Sequence, residues 1–127
     1  MQYPPKQQLT DLLQLLHEMG LQEVVICPGS RSAPLTLGFA RHSGFATSTV
    51  IDERAAGYIA LGKALASNKP VAVVCTSGTA LLNLAPAVAE AFYLRIPLLI
   101  LSADRPAAWV DQLDGQTIRQ QGALGPH

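Results

Sequence analysis

One acidic residue, Glu53, stands where a strand-like segment gives way to a helix-like one. Residues 47–51 are rich in β-branched side chains, which strands favour, whereas small residues recur at helical spacing from position 55 onward. Asp52 and Glu53 therefore lie at the start of a helix, where carboxylates cap free N–H groups and complement the helix dipole. Taken alone, this capping role is a sufficient explanation for both residues.

Three further polar loops follow apolar strands in the same way. They are Pro28-Gly29-Ser30-Arg31-Ser32, Thr76-Ser77-Gly78-Thr79-Ala80 and Ala103-Asp104-Arg105-Pro106. Because open parallel sheets bind ligands beyond the carboxyl ends of their strands, these loops and Glu53 predict one shared site. The second loop leaves backbone N–H groups free at a helix start, but it lacks the lysine of a phosphate-binding loop.

The elements that would position these loops alternate between helices and strands. Leucines at positions 9, 12, 13 and 16 predict an amphipathic first helix that ends at Gly20, and Pro34 suits the first turn of a second helix. Segments 24–27, 47–51, 71–75 and 98–101 read as apolar strands covered on both faces. The pattern predicts an α/β fold with a doubly wound parallel sheet and helices on both faces. A further short helix is predicted at 117–120.

Composition limits the classes of partner. A length of 127 residues predicts one domain, and 49% hydrophobic against 14% charged residues suggests a surface meant for a partner. We expect the small residues Ala56, Gly57, Ala60 and Ala64 to drive self-association through a closely packed helix face. Nine basic and nine acidic residues cancel, which argues against nucleic acid or a membrane surface as a partner.

The two cysteines and the absence of long apolar stretches limit the chemistry and the compartment. Cys27 and Cys75 end apolar strands, so we interpret them as small core residues and expect no metal site in this chain. No apolar stretch of about 18 residues could span a bilayer, and no N-terminal signal is recognisable. A reducing cytoplasm is the expected location.

Five linked motifs carry a family resemblance: the three loops above, Asp52-Glu53-Arg54 with Gly57 and Gly62, and Gln116-Thr117-Ile118-Arg119-Gln120. From about Leu21 onward the chain resembles the N-terminal pyrimidine-binding domain of the 2-succinyl-5-enolpyruvyl-6-hydroxy-3-cyclohexene-1-carboxylate synthases. These are thiamine-diphosphate enzymes of menaquinone synthesis. The resemblance implies the pyrimidine-domain type of thiamine-diphosphate-binding fold over residues 1–127, incomplete at its C-terminus, with the central and diphosphate-binding domains outside this chain. Gly115 departs from the pattern, since we expect Asn there in some members.

The resemblance also implies a reaction and a set of site residues. A transferase of this kind adds the decarboxylated remnant of 2-oxoglutarate to isochorismate. Glu53 would be catalytic, hydrogen-bonding the cofactor's aminopyrimidine ring, and Pro28 and Thr76 would contact the cofactor. The carboxylate-rich substrates would be bound by Ser30, Arg31, Arg105 and Gln116. Magnesium and the diphosphate would be held by the absent domain, and the enzyme would be a homodimer or homotetramer with its site at the subunit interface.

Two other interpretations stay open at this point. The chain could belong to another thiamine-diphosphate enzyme, such as an acetohydroxyacid synthase or a 2-oxoacid decarboxylase, although the motifs 30–32 and 116–120 favour the synthase. It could also be a non-catalytic module that binds an anion or a nucleotide. Arg119 has a structural alternative of its own, as a solvated side chain or as the partner of Asp104 or Asp111.

Overall fold

The computed structural model describes residues 6–127 and contains one four-stranded sheet in which every strand is parallel. The strands are β1 (Glu23–Ile26), β2 (Ala46–Thr49), β3 (Val71–Cys75) and β4 (Leu98–Ser102), in the order β2-β1-β3-β4. Ile26 at the end of β1 lies opposite Thr49 of β2 and Val74 of β3. The carboxyl ends of the strands therefore meet at one edge of the sheet, as the sequence predicted.

Within the described residues, five α-helices connect or precede these strands. They are α1 (Gln7–Glu18), α2 (Ala33–Arg41), α3 (Glu53–Ser67), α4 (Thr79–Leu82) and α5 (Ala85–Leu94), and a 3-10 turn, Ala107–Trp109, follows β4. The ends have identifiable causes: Gly20 adopts a φ of +89° just after α1, and α2 has a proline in its first turn. The predicted order of helices and strands is confirmed, with the last connection split into α4 and α5.

Both faces of the sheet are covered by helices, so the doubly wound fold is confirmed. Under α1 and α2 a core forms from Leu13, Leu21, Val24, Ile26, Phe39, Phe45, Ala72 and Val74. Under α3 and α5 a second core forms from Val25, Cys27, Ala56, Ala60, Ala64, Val71, Val73, Cys75, Leu81 and Leu84. Alternate residues of β1 and β3 feed the two cores, which is why these central strands are apolar throughout.

The outer strand β2 differs from its prediction. It ends at Thr49 rather than at residue 51, and the side chains of Ala46, Thr47 and Thr49 are exposed. An edge strand has a neighbour on one side only, and polar β-branched residues suit its solvated surface. The prediction of an apolar strand covered on both faces is therefore wrong for β2.

The small residues of α3 also have a different role from the one predicted. Ala56, Ala60 and Ala64 are almost fully buried beneath α3, and a Cβ added to Gly57 would lie 2.8 Å from that of Ala87 in α5. These residues let α3 approach the sheet and α5 closely within one chain. The expectation that this face drives self-association is wrong.

The helix predicted near Thr117–Gln120 is absent, and residues 110–120 form turns and irregular backbone. Gln116 adopts a left-handed φ of +55°, and its carbonyl accepts hydrogen bonds from side chains of Arg31 and Ser77 instead of a helical N–H. Contacts with other loops therefore override the local helical preference. None of the helices within residues 6–127 combines the length and apolar character that crossing a bilayer requires.

Candidate functional site

The loops after β1 and β3 form the centre of the candidate site. The connection after β1 leads to α2 on one face of the sheet, whereas the connection after β3 leads to α4 and α5 on the other face. Two adjacent strands whose connections diverge in this way leave a crevice between them, and open α/β sheets bind ligands there. The two central strands thus bring the loops 28–32 and 76–80 together.

Gly29 and Thr76 contact each other across this crevice. A Cβ at Gly29 would overlap the Thr76 side chain, so only glycine permits this approach of the two loops. Thr76 is buried, and within residues 6–127 its Oγ1 has no hydrogen-bond partner. Since an unpaired buried hydroxyl is costly, Thr76 Oγ1 is a candidate ligand contact. Pro28 lies exposed just before Gly29.

Glu53 is the first residue of α3, and it is half-buried. Its neighbour Asp52 performs the capping, because the Asp52 carboxylate accepts a hydrogen bond of 2.8 Å from the backbone N–H of Ala55. Among the described residues, none donates a hydrogen bond to the Glu53 side chain. The cap explanation therefore accounts for Asp52 and leaves the Glu53 carboxylate available.

The negative charge of Glu53 contributes to the pKa values of the two buried thiols. Burial, followed by the negative charges of Glu53 and Asp52, raises the pKa of Cys27 to about 11. Burial, Cys27 and then Glu53 raise the pKa of Cys75 to about 12. The carboxylate of Glu53 is thus felt at the ends of both central strands. Cys27 and Cys75 are free, buried and protonated, as their interpretation as core residues predicted.

Arg31 holds residues 115 and 116 over the crevice. Its guanidinium donates to Ser77 Oγ, to the Gln116 carbonyl at 3.0 Å and to the Gly115 carbonyl at 3.5 Å. Ser77, which is buried, donates in turn to the Gln116 carbonyl at 2.7 Å. The predicted residues Arg31 and Gln116 are therefore in direct contact, but through the backbone of Gln116, whose side chain is exposed.

Gln120 ties the same region to two strand ends. Its Oε1 accepts from the N–H of Gly78 at 2.7 Å, and its Nε2 donates to the carbonyl of Ala103 at 3.0 Å. Sequence reasoning did not assign a role to Gln120 or Ser77. Their positions inside two of the family motifs were the only signal in the sequence, and a motif does not specify the partner of a side chain. Ser30, by contrast, lies exposed in its loop.

Arg105 is paired at the end of β4. Its Nη2 lies 2.6 Å from Asp114 Oδ2, and its guanidinium lies 5.3 Å from the ring centre of Trp109.

Arg119 pairs with Asp111 at 2.7 Å on the surface, which is one of the alternatives expected from the sequence. The hydrogen bond to Asp111 raises the pKa of Arg119. Residues 6–127 contain no cluster of three or more metal-ligating side chains.

Sequence relatives agree on one kind of enzyme. The chain is 54% identical to the 2-succinyl-5-enolpyruvyl-6-hydroxy-3-cyclohexene-1-carboxylate synthase of Porphyromonas gingivalis over 122 residues, which are 96% of this chain and 21% of the relative. It is 52% identical over 121 residues to the protein of the same name from Cytophaga hutchinsonii, covering 95% of this chain and 22% of the relative. The chain thus spans about a fifth of the length of these relatives.

A solved structure and a family model place the fold. The thiamine diphosphate-dependent 4-hydroxybenzoylformate decarboxylase of Rhodococcus jostii superposes with a TM-score of 0.79 over 91% of this chain and 22% of that chain. At 21% identity this likeness shows a shared fold. The model of the thiamine pyrophosphate enzyme N-terminal TPP binding domain matches residues 9–124. The chain therefore belongs to the thiamine pyrophosphate enzymes, as a member of their N-terminal TPP-binding domain family.

Proposed function

We propose that this chain is the N-terminal, pyrimidine-binding part of a 2-succinyl-5-enolpyruvyl-6-hydroxy-3-cyclohexene-1-carboxylate synthase. The complete enzyme would join the decarboxylated remnant of 2-oxoglutarate to isochorismate in menaquinone biosynthesis. The observation that carries the proposal is the identity of 50–54% to relatives of that name, extending over at least 95% of this chain.

The residues of the crevice fit the pyrimidine half of thiamine diphosphate. Glu53 offers a half-buried carboxylate free of the capping bond, and Thr76 Oγ1 is a buried polar atom that a ligand would satisfy. In our proposal Glu53 holds or releases a proton at the ring nitrogen of the aminopyrimidine, while Thr76 and Pro28 line its pocket. The carbon–carbon bond chemistry is supplied by the cofactor. Mg²⁺ and the diphosphate would be bound by a second domain.

The arginines at the strand ends fit substrates that carry carboxylates. Arg31 and Arg105 follow β1 and β4, and guanidinium groups bind carboxylates through two parallel hydrogen bonds. Ser30 and the side chain of Gln116 are exposed in the adjoining loops, where they could add one bond each. We assign these four residues to substrate binding.

We also propose that the enzyme is a homodimer or homotetramer that uses the outer face of α3 as an interface. This face carries six exposed apolar or small residues at helical spacing: Ala55, Tyr58, Ile59, Gly62, Leu65 and Ala66. Tyr58 and Leu65 are 46% and 65% exposed, which is unusual for such side chains on one helix face. Since Glu53 begins the same helix, an interface here would lie next to the candidate site.

The two alternative functions are another thiamine-diphosphate enzyme and a non-catalytic binding module. The likeness to a decarboxylase is at 21% identity and concerns the fold alone, so it does not favour decarboxylation. A module without catalysis would not need a free carboxylate at the crevice. Product analysis separates them: the synthase requires isochorismate, whereas an acetohydroxyacid synthase or a decarboxylase turns over 2-oxoacids without it. The cytoplasmic location remains a prediction.

The decisive experiment is Glu53→Gln in the complete enzyme. The amide keeps the shape but cannot exchange a proton as the carboxylate does, so we expect turnover to fall at least about a hundredfold with the circular dichroism spectrum unchanged. The matched control is Glu90→Gln, because Glu90 is exposed on α5. Turnover within a few-fold of wild type for Glu53→Gln would refute the assignment.

A further inference from the structure

Both arginines assigned to substrate are already engaged by one segment of the chain. We call residues 110–120 the strap. Its Asp114 carboxylate lies on Arg105, and its Gly115 and Gln116 carbonyls accept from Arg31. The strap thus presents one carboxylate and two carbonyl oxygens to the two guanidinium groups. Oxygen acceptors of this kind are also what a carboxylate-rich substrate would present.

We propose that Asp114 is an internal stand-in for a substrate carboxylate, which occupies Arg105 until the substrate displaces it. This inference rests on the proposed function, since it takes Arg105 as a substrate-binding residue. The strap then acts as an autoinhibitory contact. The apparent affinity for the substrate equals the intrinsic affinity multiplied by the fraction of molecules in which Arg105 is free of Asp114.

In the part of the chain that the structure describes, the contact between Arg105 and Asp114 leaves one hydrogen-bonding atom of each side chain without a partner. Although Nη2 and Oδ2 are 2.6 Å apart, they are not aligned as a hydrogen bond, and Asp114 Oδ2 has no hydrogen-bond partner within the described residues. Arg105 Nε is likewise buried and without a partner among residues 6–127. A free carboxylate could bind Nε and Nη2 together, which the tethered Asp114 does not do. The substrate therefore gains a bond that the stand-in lacks.

The first part of the strap, residues 111–114, makes few contacts with the rest of the domain. Asp111, Leu113 and Gln116 adopt left-handed φ values of 64°, 61° and 55°, which non-glycine residues reach at a cost. Leu113 is fully exposed, so no core contact anchors this part of the strap. The buried side chain of Gln120 fixes the far end. Residues 111–114 can therefore release Arg105 while the hydrogen bonds to the carbonyls of residues 115 and 116 and the contacts of Gln120 stay in place.

The test is Asp114→Asn in the complete enzyme. The amide is isosteric but uncharged, so it competes less well for Arg105, and we expect the KM for isochorismate to fall about fivefold, the scale of one partly exposed ion pair. Turnover at saturation and affinity for thiamine diphosphate should change less than about twofold. The matched control is Asp111→Asn, which removes the same charge from the strap but affects only Arg119. Its KM should equal that of wild type.

A KM that is unchanged or raised in Asp114→Asn would overturn the proposal, because Asp114 would then be neutral or would position Arg105 for the substrate. A second readout does not depend on catalysis. Trp109 is the only tryptophan of this chain and lies against Arg105, so its emission reports on that site. Titration of the 127-residue chain with succinate should show about fivefold tighter binding for Asp114→Asn than for wild type or Asp111→Asn. Equal or weaker binding would refute the stand-in, whereas a wild-type enzyme inactive on isochorismate would refute the proposed function alone.

Discussion

Gly78→Ala tests whether the loop after β3 and the strap support each other. Gly78 adopts φ +85° and ψ −147°, a backbone conformation reached almost only by glycine. A Cβ there would lie 2.9 Å from the carbonyl carbon of Gln116 and 3.0 Å from its carbonyl oxygen. Both neighbours are backbone atoms, so the strap has to move for alanine to fit.

The expected cost follows from two contributions. The backbone conformation costs alanine about 1–3 kcal/mol. Displacing Gln116 weakens the hydrogen bonds that its carbonyl accepts from Ser77 at 2.7 Å and from Arg31 at 3.0 Å, each worth about 1 kcal/mol. We therefore expect the free energy of unfolding to fall by about 3 kcal/mol and Tm to fall by about 10 °C for a domain of this size.

The assay is urea unfolding of the 127-residue chain, followed by circular dichroism and by Trp109 emission. Gly115→Ala is the matched control, because a Cβ at Gly115 meets no atom within 4 Å and its φ is not left-handed. That variant should be as stable as wild type or slightly more stable, since alanine reduces the entropy of the unfolded chain. If Gly78→Ala were as stable as Gly115→Ala, the close contact between Gly78 and the strap would not exist in solution.

Two further predictions concern the outer face of α3 and the buried thiols. Leu65→Glu places a charge on the proposed interface, so light scattering should show that the complete enzyme dissociates to smaller species. The same change at Leu15, which is exposed on α1, should not affect assembly. An unchanged mass for Leu65→Glu would exclude this face as the interface. The folded pKa values of Cys27 and Cys75, about 11 and about 12, exceed the ordinary thiol pKa of 9.0. The folding stability that depends on these thiols should therefore be fully present below pH 9 and decline as the pH rises from 9 towards 12. Urea unfolding of wild type and of a Cys27→Ala, Cys75→Ala variant across this range measures the difference, and identical pH profiles would show that the thiols do not contribute.

Much of the fold could be predicted because its signals are local. The leucine spacing of α1, the glycine after it and the apolar runs of β1 and β3 follow from periodicity and turn chemistry. The placement of Glu53 at a strand-to-helix junction is equally local, and it was correct. The errors at β2 and at residues 117–120 arose where the neighbours in space, and not the residues themselves, set the outcome.

The sequence by itself determined that the chain is a doubly wound α/β domain with its polar loops at one edge of a parallel sheet. Strand order, however, is a property of packing, and only the structure placed β1 and β3 side by side with Gly29 against Thr76. The partners of the arginines could not be predicted from the sequence either. The hydrogen bonds from Arg31 to Gly115 and Gln116, for example, join residues that are 84 and 85 positions apart. Side-chain partners depend on which atoms the folded backbone brings within about 3 Å, and residue types and spacing do not encode that distance.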